Sequence, residues 1–183
     1  SIAMVKDLLD DDLDGHVIYF CEQAANIARS DAKIHRPVVG MPDISVKIGD
    51  HCYHGLCDMG ASASAIPYDL YKEIMHDIAL VELEDIDVTI KIANRDTIKP
   101  VGIVRDVEVL CWKVKYPADF LVLGSPQDDF CPIIFGRPFL NTVSAKIDCE
   151  KDFVEIGLGD MKHEFNFAKF RRQPRDRESP SKD

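Results

Sequence analysis

Between Arg36 and about Phe167 the chain is written as short apolar runs, VVGMPDISVKI, VTIKIA, GIVRDVEVLCWKV, DFLVL, CPIIF, AKID, FVEIGL and HEFNF, broken by Gly, Pro, Asn and Asp. Several of these alternate apolar with polar residues, the period of a strand with one face in a core. Turn residues cut the text too often for long helices, so this stretch folds as a mostly β barrel or sandwich. Two short helices are expected inside it: Tyr68 to Ile74, entered after Pro67, and a second beginning at Pro138 in RPFLNT, where proline suits a first helical turn. No internal repeat is visible, which excludes a solenoid.

The flanks read differently. Residues 1–36 form an acidic arm crowded with Asp7, Asp10, Asp11, Asp12 and Asp14. Within it Val17 to Ala28 carries apolar residues at helical spacing, so a docked helix is expected there. Residues 168–183 (AKFRRQPRDRESPSKD) form a basic tail with almost nothing apolar, expected to be disordered. A solvated tail is the expectation, and nucleic-acid binding is not expected except weakly through this segment. Over the whole chain 32 acidic against 22 basic residues give a charge of −10, which repels a phosphate backbone. With 183 residues the chain is long enough for one domain that needs no disulfide staples, and no apolar run approaches the ~20 residues that span a bilayer. Six cysteines at uneven spacing, with no CxxC pair, read as free thiols of a reducing compartment. No secretory signal is seen, and the cytosol or nucleus is the expected location.

Chemistry concentrates at Leu56-Cys57-Asp58-Met59-Gly60-Ala61-Ser62-Ala63-Ser64, where an apolar strand stops at one acid inside a run of very small residues. Downstream stands Pro132-Ile133-Ile134-Phe135-Gly136-Arg137-Pro138-Phe139-Leu140. Between the two lies a hairpin-like stretch, Val88 to Val109, with a polar tip at Ala93 to Lys99. The frame D-x-G-A-S-x-S resembles the active-site loop of aspartic proteases, and with the later Gly-Arg run and the intervening hairpin the whole resembles a retropepsin. The closest resemblance is to the proteases of plant gypsy-type long-terminal-repeat retrotransposons, carried by CDMGAS, PIIFGRPFL and AKID.

That resemblance implies a closed β-barrel-like acid-protease fold over residues 37–167, with Asp58 as the catalytic acid. Gly60, Ala61 and Ser62 would shape the loop against substrate. The hairpin tip, Asn94, Arg95, Asp96, Thr97 and Ile98, would close over it as a flap, and Met59, Gly136 and Arg137 would support the loop. Asp58 is the one Asp followed two positions later by Gly, so the chain supplies half of a two-carboxylate site. A twofold homodimer acting on a polypeptide of retroelement polyprotein type is implied, with no cofactor. Three features depart from the family pattern: Met59 stands where most retropepsins have a Thr or Ser that bonds across the dimer axis, Ser62 where many viral relatives have an acid paired with the Arg matching Arg137, and the flap tip lacks a glycine pair. Met59 also favours the rival reading, a non-catalytic dimerisation or binding module.

Other chemistry is weaker. His51, Cys52, His54 and Cys57 form H-C-x-H-x-x-C, but strand alternation sends them to different faces, so no metal is expected. Cys57 with His54 lacks a third group to orient a nucleophile pair, and the small-residue run has no Lys for a phosphate loop. Trp112, Phe120, Phe135, Phe139 and Phe153 are expected in the core.

Overall fold

The computed structural model describes residues 17–19, 40–77, 82–91, 97–124 and 133–167. Six strands close into a barrel in the order β2 (Asp43–Ile48), β3 (His51–Cys57), β9 (Ile133–Phe135), β4 (Ser64–Pro67), β8 (Val114–Leu123) and β7 (Gly102–Cys111). Closure leaves none of these six with an open edge. The expectation of a mostly β chain with a closed barrel and short helices is met.

Alternation decides which side chains enter the barrel. Along β2 Ile44, Val46 and Ile48 are buried while Ser45 is exposed, and opposite them on β3 Tyr53 and Cys57 face the same interior. Strands β4 and β9 are buried along their whole length, as fits strands covered on both faces. Phe120, Phe135 and Phe139 fill the interior as expected, Phe135 stacking on Phe139 at 4.2 Å between centroids. Trp112 and Phe153 depart from that expectation and are only half-buried. Trp112 occupies the two-residue turn between β7 and β8, so its ring lies outside the barrel, where it stacks on His163.

Helix α1 (Tyr68–Asp77) runs one turn-length beyond the expected Ile74 and buries Leu70 and Ile74 against the barrel. Helix α2 (Arg137–Thr142) starts at the RPFLNT segment, with Pro138 in its first turn and Phe139 and Leu140 buried. Outside the barrel, β10 (Lys146–Asp148), β11 (Phe153–Leu158) and β12 (Met161–Asn166) form a sheet of their own. The β11–β12 hairpin turns at Gly159, whose φ of 60° is a left-handed conformation that glycine adopts freely.

A third sheet holds β5 (Thr89–Lys91) and β6 (Thr97–Ile98), antiparallel through Ile90↔Ile98, with β1 (Val17–Tyr19) parallel to β5. This corrects the expectation at the N-terminal arm. Val17–Tyr19, read as the first turn of a helix, is a strand, because the open edge of β5 supplies backbone partners that outweigh local periodicity. The rest of that helical stretch, and the tail 168–183, lie outside the described residues.

Candidate functional site

Strand β3 pairs in parallel with β9, Cys57 opposite Phe135, and Asp58 is the first residue past the end of β3. There the chain turns sharply, and main-chain hydrogen bonds hold the turn. Asp58 N–H donates to the Phe135 carbonyl at 3.0 Å, Ala61 N–H to the Asp58 carbonyl at 3.2 Å, and Arg137 N–H to the Ala61 carbonyl at 3.0 Å. Gly60 N–H donates to Asp58 Oδ1 at 2.8 Å, so the carboxylate is itself fixed by the loop. Asp58 is 4% exposed and Ala61 is fully buried.

Gly136 stands where β9 passes the loop into α2. A Cβ there would lie 2.3 Å from the Ala63 carbonyl oxygen and 3.1 Å from that of Ala61, so only glycine permits the approach. The Gly136 N–H donates to the buried Ser64 Oγ at 3.0 Å. Ser64 was not singled out in the sequence, although the second serine of D-x-G-A-S-x-S marks it. Arg137 supports the loop through its backbone N–H, while its exposed side chain lines a groove of about 530 Å³ with Met59, Ser62, Leu140 and Ala145. Met59 is 59% exposed beside the buried Asp58.

Of the expected flap, Thr97 and Ile98 are described, and Asn94, Arg95 and Asp96 lie outside the described residues. Thr97 is exposed. Ile98 packs on the apolar cluster that holds Ile90 together with Leu56 of β3 and Ala61 of the loop. The hairpin is therefore anchored on the same apolar patch as the loop that carries Asp58.

Beside this loop lies a pair the sequence reading did not single out. Asp43, 5% exposed, accepts a hydrogen bond from His54 Nδ1 at 2.8 Å through Oδ2. The four residues of H-C-x-H-x-x-C go separate ways: His51 faces Glu73 at 3.9 Å, His54 faces Asp43, Cys52 is exposed and Cys57 enters the barrel. Among the described residues no group of three or more His, Cys, Asp or Glu could hold a metal ion. Burial, followed by the negative charge of Asp43, pushes the Cys57 thiol well above its ordinary range, and burial pushes that of Cys111 up to about 12. Neither is a thiolate near neutrality, so Cys57 is no nucleophile.

No protein-family model matches the sequence, and no curated protein matches it. Among solved structures the chain is similar to the retroviral protease-like domain of Ddi1 from Leishmania major, at 17% identity and a TM-score of 0.46, over 63% of this chain and 86% of that one. It is also similar to the EIAV protease in complex with the inhibitor HBY-793, at 19% identity and a TM-score of 0.47, over 59% of this chain and 92% of that one.

Proposed function

We propose that this chain is one half of an aspartic endopeptidase of the retropepsin kind, active as a homodimer on a polypeptide of retroelement polyprotein type, in the cytosol or nucleus. The observation that carries the reading is Asp58: a buried carboxylate held by Gly60 N–H at the tip of a loop locked from behind by Phe135, Gly136 and Arg137. Plant gypsy-type elements are the proposed lineage, on the motifs CDMGAS, PIIFGRPFL and AKID.

The chemistry requires two such carboxylates about 3 Å apart sharing one proton. With one Asp58 from each copy, the ionised acid takes a proton from water, whose oxygen attacks the scissile carbonyl carbon. The protonated acid gives its proton to the carbonyl oxygen, so a gem-diol forms. Its collapse breaks the C–N bond: the proton taken from water passes from the first acid to the leaving nitrogen, and one diol hydroxyl returns its proton to the second acid as the C=O re-forms. The β5–β6 hairpin serves in this reading as the flap over an extended peptide, which is supported by the packing of Ile98 on the cluster that holds Leu56 and Ala61. Met59, exposed in the single chain, lies next to the residue that must meet its twin, at the rim of the proposed interface.

The test is cleavage of casein at pH about 4 to 6, with pepstatin and Asp58→Asn as controls. Pepstatin-sensitive cleavage that disappears in Asp58→Asn supports the enzyme. Absence of cleavage by a demonstrated dimer supports the second reading, a non-catalytic dimerisation module, which Met59 favours because it cannot make the cross-axis hydrogen bond of a Thr or Ser.

A further inference from the structure

Asp43 poses a problem of its own. Its side chain is buried, His54 satisfies Oδ2, and Oδ1 is buried with no hydrogen-bond partner. A buried carboxylate oxygen without a donor has lost its water with nothing in exchange, so such an atom calls for a donor in the functional state.

Its place in the fold says where that donor would come from. Asp43 is directly opposite Leu56 in the β2–β3 pair, two residues before Asp58, or about 7 Å along the strand. Residues opposite one another in an antiparallel pair project to the same face. Leu56 belongs to the cluster formed with Ile90 and Ile98 of the β5–β6 hairpin. Asp43 thus borders the buried apolar cluster that joins the hairpin to the loop, next to the loop over which an extended peptide would lie in the proposed enzyme. Cys57 N–H donates to the Pro42 carbonyl at 2.8 Å, fixing the start of β2 against the same strand. The site is built rather than adventitious.

We propose that Asp43, steadied by His54, is a subsite for a cationic side chain of the bound peptide, Asp43 Oδ1 accepting a hydrogen bond from a lysine ammonium or arginine guanidinium close to the scissile bond. This assignment rests on the aspartic-protease reading. A cation suits the site because charge-assisted bonds are roughly twice as strong as neutral ones. The chain's charge of −10 draws cationic peptides in the same sense.

The experiment uses the full-length Asp58→Asn chain, which binds without cutting, and fluorescent octapeptides with a central Leu-Phe. One lysine is moved through the remaining positions, each peptide being paired with its norleucine and acetyl-lysine counterparts, and binding is read by anisotropy. At one register the lysine peptide is expected to bind about tenfold or more tightly than both counterparts. In Asp43→Asn/Asp58→Asn that ratio is expected to fall below about threefold, whereas His54→Gln/Asp58→Asn retains it. No lysine preference at any register overturns the subsite, and needs no Asp43 variant to show it. A preference that survives Asp43→Asn overturns it equally. Peptides that bind with the Asp43-dependent preference but are never cut by the unmodified chain overturn the protease reading and leave the cation subsite standing.

Discussion

Replacing Gly136 by alanine tests the claim that the loop carrying Asp58 is held by close main-chain approach. The added Cβ would stand 2.3 Å from the Ala63 carbonyl oxygen and 2.5 Å from its carbon, both backbone atoms that no rotamer change can move. Restoring an ordinary contact needs a shift of about 1 Å, and overpacking of this kind costs about 1–3 kcal/mol. The same shift breaks the Gly136 N–H to Ser64 Oγ bond and the Arg137 N–H to Ala61 carbonyl bond, each 3.0 Å long. At about 0.5–1.5 kcal/mol apiece these bring the total to about 2–6 kcal/mol. Gly124→Ala is the control, since nothing lies within 4 Å of a Cβ there. Urea unfolding of the parent, Gly136→Ala and Gly124→Ala would measure both. The expected result is a large drop in midpoint for the first variant, with loss of peptide cleavage, and a change under about 0.5 kcal/mol for the second. If Gly136→Ala unfolds with its control, the close approach is not what shapes the loop.

Three further outcomes are expected. Met59→Thr should leave single-chain stability within about 1 kcal/mol, because Met59 is 59% exposed. Two hydroxyl bonds across the axis should tighten the dimer roughly five- to a hundredfold in sedimentation; a weaker dimer would mean that methionine packing is what joins the copies. Site-resolved alkylation at pH 8 should label the exposed Cys52 and Cys149 and spare the buried Cys57 and Cys111. Because burial raises both buried thiols in the folded state, their contribution to stability is present below pH about 9 and lost as pH rises toward their folded values, so alkaline melting should steepen there; a flat profile to pH 11 would refute it. Ser144→Gly, at an exposed position with a φ of 51° just past α2, should raise stability by up to about 1 kcal/mol in thermal melting, and a loss would show that the serine side chain is needed.

What could be read without coordinates was whatever depends on neighbours along the chain. Alternation in DISVKI marked the face of β2 that enters the barrel, Pro67 and Pro138 marked the starts of two helices, and D-x-G-A-S marked the acid and its turn. Each of these is a local rule of backbone geometry, so the order of residues suffices. What only the tertiary structure decided depends on segments far apart in sequence. Val17–Tyr19 is a strand because the β5 edge offers it partners. Gly136 is needed because Ala61 and Ala63 pass within van der Waals distance of it, and Arg137 acts through its main-chain N–H for the same reason. The β2–β3 register sets Asp43 beside Leu56 and within reach of His54, and burial, which no local pattern encodes, leaves one of its carboxylate oxygens waiting for a donor. Local sequence encodes conformation and chemistry residue by residue; which groups meet, and which are deprived of water, is set by closure of the barrel.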